Sequence, residues 1–193
     1  VHTVEALVRW DRPDRGLVAP CVFLAAAREA GRLRSIEEWV IGSACAQLRA
    51  WQDEGIETSI AINVSPQLYG DPHLVDLISS RIEASGADPS GLEIELPESL
   101  TVTDDPTIAP RLAELAGLGI RLLIDDFGAG YSYLPYLSRL PLWAIKLDRG
   151  LVAQAVVSAA DGAVVQAVIV MAHRLGMRVV AEGVETRAQM TWL

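Results

Sequence analysis

Oxygen-bearing side chains recur in this chain where short apolar runs stop. Glu5 lies in the run 4–8, Asn63 near the end of 59–64, Glu95 in 92–96, and Asp125 with Asp126 at the end of 121–125. Lys146 and Asp148 follow in and after 144–147, and Glu182 and Glu185 come just beyond 178–181. The set holds no Cys and no His; His2, His73 and His173 lie elsewhere. Hard oxygen donors of this kind select Mg²⁺ or Mn²⁺ over zinc or copper. So many carboxylates in one pocket repel one another unless cations neutralise them. Adjacent Asp125 and Asp126 suit two ions about 3.5–4 Å apart that share ligands, polarise a phosphoryl oxygen and make hydroxide near neutral pH. Lys146 then orients that water or offsets charge building on phosphorus. Arg9, four residues after Glu5 and so on the same face of an extended strand, is placed to hold a non-reacting phosphate oxygen.

Each residue also has an ordinary reading. An Asp or Glu that ends a strand serves as a helix N-cap or a solvated loop residue. Lys146 fits a structural ion pair with Asp148 or Asp125, and Glu5 fits a pair with Arg9. Residues 127–131, Phe-Gly-Ala-Gly-Tyr, read as a glycine turn. Against these stands the coincidence that all six apolar runs carry such groups. That convergence is what a site at the C-terminal ends of parallel strands produces.

The elements that position these groups alternate. Six strand-like runs (4–8, 59–64, 92–96, 121–125, 144–147 and 178–181) are separated by helical stripes. Ile36, Val40, Gln47 and Trp51 with Trp39 and Leu48 form one stripe, and Leu74, Leu77, Ile78 and Ile82 another. Ile108, Leu112 and Leu115 form a third, and Val164, Val168, Met171 and Leu175 a fourth. Gly86, Gly119 and Gly176 follow apolar stripes, as C-terminal glycines do. Interleaved strands and helices predict a parallel α/β fold, and nearly all-apolar strands predict cover on both faces. A barrel and an open doubly wound sheet both fit. No G-x-G-x-x-G follows the first run, which argues against the dinucleotide-binding version. A complete (β/α)₈ barrel needs about 250 residues, so six units in 193 residues read as an incomplete one.

Composition narrows the partners. The chain is 51% hydrophobic with mean hydropathy +0.28, which excludes a disordered segment. No run of about 18 apolar residues is present to span a membrane. A net charge of −9 argues against a DNA or RNA polymer as ligand, since that needs clustered Lys and Arg. A phosphate ester must therefore be attracted by something local, such as a divalent cation. Cys21 and Cys45 form neither a disulfide framework nor a zinc pattern, which fits a cytoplasmic domain. Among sixteen basic residues Lys146 is the single lysine, and lysine differs from arginine where a compact ammonium is needed.

In order along the chain come EALVRW from Glu5 through Ala6 and Leu7 to Trp10 with Pro13 and Gly16 behind it, NVSPQL at 63–68, LEIELPES at 92–99, DDFGAGYSYL at 125–134, IKLDRGLV at 145–152 and VVAEGVET at 179–186. This series resembles the EAL domain family and covers essentially the whole chain. The resemblance implies a modified (β/α)₈ barrel of the TIM type, here a single domain over 1–193 that lacks its first and last strands. It implies hydrolysis of one phosphodiester of cyclic di-GMP to linear pGpG in bacterial second-messenger signalling, with Mg²⁺ or Mn²⁺, as a pair of ions. It places Glu5, Asn63, Glu95, Asp125, Asp126 and Glu182 among the metal ligands, and Leu7, Arg9 and Asn63 against substrate. Lys146, Asp126, Glu182 and Glu185 fall to catalysis, with Lys146 on the nucleophilic water and Glu185 supporting that shell. Glu98, Phe127 and Gly128 fall to a loop that links the metal site to a homodimer interface. A parent protein with sensory or GGDEF domains, membrane-attached or not, is also implied.

The sequence departs from the family pattern at Pro97 in place of a Thr, at Arg28 in place of a Glu, and at Ala129 and Tyr133 in place of a Thr and a Ser. None of these is a predicted metal ligand. They keep a second reading open, a degenerate EAL domain that binds cyclic di-GMP as a receptor without cleaving it. A third is a regulatory or scaffolding domain that binds no nucleotide.

Overall fold

The structure is a computed structural model that describes residues 2–102, 105–130 and 134–193. Tyr131 and Tyr133, named above, lie outside the described residues. The chain forms two compact units, residues 1–94 with 117–120, and residues 95–116 with 121–193.

The first unit runs β1 (Thr3–Ala6), β2 (Trp10–Arg12), β3 (Gly16–Val18), α1 (Pro20–Glu29), α2 (Leu33–Asp53), β4 (Ser59–Asn63), α3 (Pro66–Tyr69), α4 (Leu74–Ser85) and the first half of β5 (Leu92–Pro97). Strand β1 pairs with β4 in parallel, Glu5 opposite Ala61. The short hairpin of β2 and β3 was not foreseen; it pairs Trp10 with Val18. Its turn, Pro13 to Gly16, places Gly16 at φ 67°, a conformation that glycine adopts without a Cβ clash. Helix α4 ends as its glycine predicts: Gly86 is left-handed and its N–H donates to the Ile82 carbonyl.

The second unit continues β5 and adds α5 (Ile108–Gly117, its last residue grouped with the first unit), β6 (Arg121–Phe127), α6 (Leu134–Leu137), β7 (Ala144–Leu147), α7 (Arg149–Ala155), α8 (Ala159–Arg174), β8 (Arg178–Ala181) and α9 (Arg187–Trp192). Strand β7 lies between β6 and β8, parallel to both. Helix starts are capped by their own sequence. Asp148 caps α7 by accepting from the Gly150 and Leu151 N–H groups, Ser158 caps α8, and Thr186 with Gln189 forms a capping box on α9.

Strand order is β1-β4-β5 in the first unit and β5-β6-β7-β8 in the second. Within each unit the order among the described residues advances with the sequence, without the reversal found at the switch point of a doubly wound sheet. Parallel strands β4, β5 and β7 are buried almost throughout, which fits strands covered on both faces. Among the described residues no helix is long and apolar enough to cross a membrane.

Two helical stripes differ from expectation. On α2 the buried residues are Leu33, Ile41, Ala44, Cys45 and Leu48, while Trp39 is 63% exposed. On α8 Gly162, Val165 and Ala172 are buried, and Val164 and Leu175 are exposed. On α2 Leu48 alone of the expected stripe is buried, and on α8 none of it is, because the face turned to a neighbouring element is set by packing and not by spacing alone. The third stripe stands as read, with Ile108, Leu112 and Leu115 all buried.

Candidate active site

In the first unit, Glu5 projects from β1 and Asn63 ends β4. The Asn63 amide Nδ2 donates to Glu5 Oε1 at 2.7 Å. Parallel pairing sets this contact, since Ala6 lies opposite Ile62, one residue before Asn63. Beyond Asn63 the chain turns into α3, and the Ser65 N–H donates to Glu37 Oε1 on α2 at 2.8 Å. Glu37 thus anchors the turn that follows Asn63, a contact that no sequence motif announced. Strand β1 stops at Ala6, so Arg9 lies past it and does not share a strand face with Glu5. The Arg9 guanidinium donates to the carbonyl of Val8, and Leu7 is 52% exposed. The strand ends early because the chain leaves β1 to form the β2–β3 hairpin.

The second unit carries the denser group. The Lys146 ammonium on β7 lies 2.7 Å from Glu95 Oε1, 2.8 Å from Asp125 Oδ1 and 2.7 Å from Glu182 Oε1. Glu95 comes from β5, Asp125 from β6, and Glu182 from the residue after β8. The central strand therefore supplies the cation, and strands around it supply the anions. Asp148, an alternative partner for Lys146, instead caps α7. Burial lowers the Lys146 pKa, but the hydrogen bonds its ammonium donates to Asp125, Glu182 and Glu95 outweigh it and raise the pKa well above the ordinary lysine range.

Adjacent residues of a regular strand point to opposite faces, so Asp125 and Asp126 could not otherwise serve one site. Between Ile124 and Phe127 the register of β6 on β7 shifts: Ile124 lies opposite Ile145, but Phe127 lies opposite Leu147. One extra residue is accommodated as a bulge, and Asp126 takes φ 51°, where Asp is among the tolerated non-glycine residues. Carboxylate oxygens of Asp125, Asp126 and Glu182 then come within 4.8 Å of one another. Burial, followed by repulsion from Asp125, Glu182 and Asp148, raises the Asp126 pKa above its ordinary value, with Lys146 opposing. Counting Glu95, four carboxylates face the one ammonium. This excess of hard oxygen and negative charge suits a divalent ion with oxygen ligands.

The buried Glu98 carboxylate accepts from the Gly130 N–H at 2.8 Å, which ties the end of β5 to the loop after β6. Pro97 is the last residue of β5. Phe127 is buried, and Gly128 takes φ 100°. Glu185 lies in the loop before α9, and its N–H donates to Gln189 Oε1.

The EAL domain profile matches residues 1–193. This chain belongs to the EAL domain family. Its relatives include MucR of Pseudomonas aeruginosa, described as a bifunctional diguanylate cyclase/cyclic di-GMP phosphodiesterase, 39% identical over 98% of this chain and 28% of MucR. NbdA of the same organism, a cyclic di-GMP phosphodiesterase, is 40% identical over 100% of this chain and 25% of its own length. The chain thus spans about a quarter of the length of these curated relatives. Among solved structures, the PaMucR phosphodiesterase in complex with c-di-GMP superposes with TM-score 0.91 at 39% identity, covering 99% of this chain and 78% of that one. The fold is that of this family, a modified (β/α)₈ barrel, of which the described residues carry six parallel strands.

Within the EAL domain, each motif of the series is placed on the described elements, except residues 131–133. Glu5 and Asn63 meet in one unit. Glu95, Asp125, Asp126, Lys146 and Glu182 meet in the other. Sequence reasoning missed the structural duties of Glu37 and of the glycines that follow the carboxylates, while Asp148 fills the N-cap role that an Asp ending a strand was expected to offer. An aspartate directly before a helix was the available signal for the Asp148 cap.

Proposed function

We propose that this EAL domain hydrolyses one phosphodiester of cyclic di-GMP to linear pGpG with the help of Mg²⁺ or Mn²⁺. The observation that carries the reading is the Lys146 ammonium held by Glu95, Asp125 and Glu182 beside the Asp125–Asp126–Glu182 oxygen cluster. Glu5, Asn63, Glu95, Asp125, Asp126 and Glu182 are the residues that would hold the ions. A bound pair of such ions supplies Lewis acidity and an acidified water.

The protein's own groups have definite tasks. Lys146 stays protonated because three carboxylates stabilise its charge, so it acts as a fixed donor and positive charge rather than as a base. It orients water or offsets charge on the phosphorus oxygens. Hydrolysis attaches the water oxygen to phosphorus and breaks one P–O bond, which leaves one hydroxyl on the opened ring. Arg9, which has no acidic partner among the described contacts, takes a phosphate oxygen as its anion, and Leu7 meets the substrate beside it. Glu185 supports the ligands around Glu182. Glu98, Phe127 and Gly128 couple this site to a homodimer interface. The domain works in the cytoplasm, within a parent protein that carries sensory or GGDEF domains.

Incubation of the protein with cyclic di-GMP and Mn²⁺ or Mg²⁺, followed by chromatography, tests the reading. Accumulation of pGpG that stops on addition of a chelator is the expected result. Ligand binding without any product would overturn it and favour a cyclic di-GMP receptor, with Arg28 and Pro97 the first residues to revert.

A further inference from the structure

Asp125 with Asp126 and Glu182 leave the sheet from β6 and β8, which are separated by β7. No ladder hydrogen bond joins β6 to β8 directly, yet the three carboxylates lie within 4.8 Å of one another. Something attached to β7 must register the two loops. The segment just past β7 is tied to both by backbone hydrogen bonds: the Asp148 N–H donates to the Phe127 carbonyl, and the Glu182 N–H donates to the Leu147 carbonyl.

The first turn of α7 completes the arrangement. Each loop has a glycine one or two residues past its carboxylates, both at positive φ, Gly128 at 100° and Gly183 at 63°. A Cβ on Gly128 would lie 2.5 Å from Leu151 Cδ2, and a Cβ on Gly183 would lie 2.5 Å from Arg149 Cβ. Both loops therefore rest on the same helical turn, Gly183 against the fixed Arg149 Cβ and Gly128 against the end of the Leu151 side chain. That turn is itself fixed, because Asp148 Oδ1 accepts from the Gly150 and Leu151 N–H groups. Gly150 is part of the fit, since a Cβ there would lie 2.8 Å from Asp148 Oδ1.

We propose that the first turn of α7 is a positioning platform, in which Arg149 and Leu151 seat Gly183 and Gly128 and thereby set the spacing of Glu182 from Asp125 and Asp126. None of these four residues need touch an ion or substrate. Outer groups that orient ligands commonly change metal affinity by about 10–100-fold when altered. The inference rests on the divalent-ion reading of the site.

The test is calorimetric titration of Mn²⁺ into the protein, with the melting temperature of the metal-free form measured in parallel. Gly183→Ala is expected to weaken Mn²⁺ binding about tenfold. Adding Arg149→Gly, which removes the opposing Cβ, is expected to restore part of that loss, the remainder being the strain of alanine at φ 63°. Leu151→Ala, which opens space instead of creating a clash, should weaken binding in the same direction while the protein remains folded. Unchanged Mn²⁺ affinity in Gly183→Ala and Leu151→Ala would overturn the platform. So would a Gly183→Ala/Arg149→Gly protein as weak as the single variant. Absence of Mn²⁺ binding by the unaltered protein would overturn the metal reading and the platform together, a result distinct from normal binding that the variants leave untouched.

Discussion

The Lys146 ammonium lies 2.7 Å from Glu95 Oε1, with the two side chains only 10% and 2% exposed. Removing one partner of so buried a pair leaves the other poorly compensated. Lys146→Met should therefore destabilise the protein by about 3–5 kcal/mol, read from the urea midpoint. The double variant with Glu95→Gln should recover much of that loss. A single variant as stable as the parent would show that the pair is held by its surroundings and contributes little.

The pH dependence of this pair follows from the raised Lys146 pKa. A raised lysine pKa contributes stability that is complete below the unfolded lysine pKa and is lost as pH rises through the folded one. Both lie at or above the ordinary lysine value of about 10.4. The stability gap between parent and Lys146→Met should therefore be flat between about pH 6 and 9 and narrow only in strong alkali. Urea titrations at several pH values check this.

Asp126 titrates in the same direction, but in the acid range. Its raised pKa marks a charged form that burial and neighbouring carboxylates oppose. Its contribution to stability is present below the unfolded aspartate pKa and is lost as pH rises through the folded one. At neutral pH Asp126→Asn should make the metal-free protein slightly more stable while weakening Mn²⁺ binding roughly tenfold or more. Mn²⁺ affinity of the parent should climb as pH rises through the Asp126 pKa, because ligands bind deprotonated. Thermal melts with and without Mn²⁺ across pH report both effects.

Asn63 donates to Glu5 at 2.7 Å, so Asn63→Asp sets two acceptors against each other. Turnover of cyclic di-GMP should fall about 10–100-fold, as for other groups that orient a ligand. Asn63→Ala, which removes the donor to Glu5 and the ligand oxygen together, should lose at least as much. Steady-state pGpG release compares the two.

Glu98→Ala removes the acceptor of the Gly130 N–H, which water can replace because Gly130 is exposed, and is expected to cost about 0.5–1.5 kcal/mol. Glu98→Gln keeps an acceptor oxygen and should cost less. Chemical denaturation of the two variants distinguishes a hydrogen-bond role from a charge role.

The residue types of the site were legible without coordinates. Glu5, Asn63, Glu95, Asp125, Lys146 and Glu182 each stand in or directly beyond a short apolar run, and a parallel strand carries its end residues to one side of a sheet whatever its neighbours are. The α5 stripe was legible for a similar reason, since one face of a helix is a property of spacing alone. The α8 stripe and all of the α2 stripe but Leu48 were misread because which face is buried depends on what approaches it, not on spacing alone. The end of β1 at Ala6 and the hairpin after it likewise depended on pairing partners distant in sequence.

By itself, then, the sequence determined the family, the parallel α/β order and the chemical inventory of hard oxygens around one lysine. Only the tertiary structure decided how that inventory is arranged. The bulge at Asp125–Asp126 exists because β6 must keep register with β7 on both sides of an extra residue, and it is what lets neighbouring aspartates serve one cluster. Lys146 pairs with Glu95, Asp125 and Glu182 rather than Asp148, because contact is set by strand order and helix capping. Spacing along a chain fixes which residues share an element, whereas distances between elements arise only when separate segments pack.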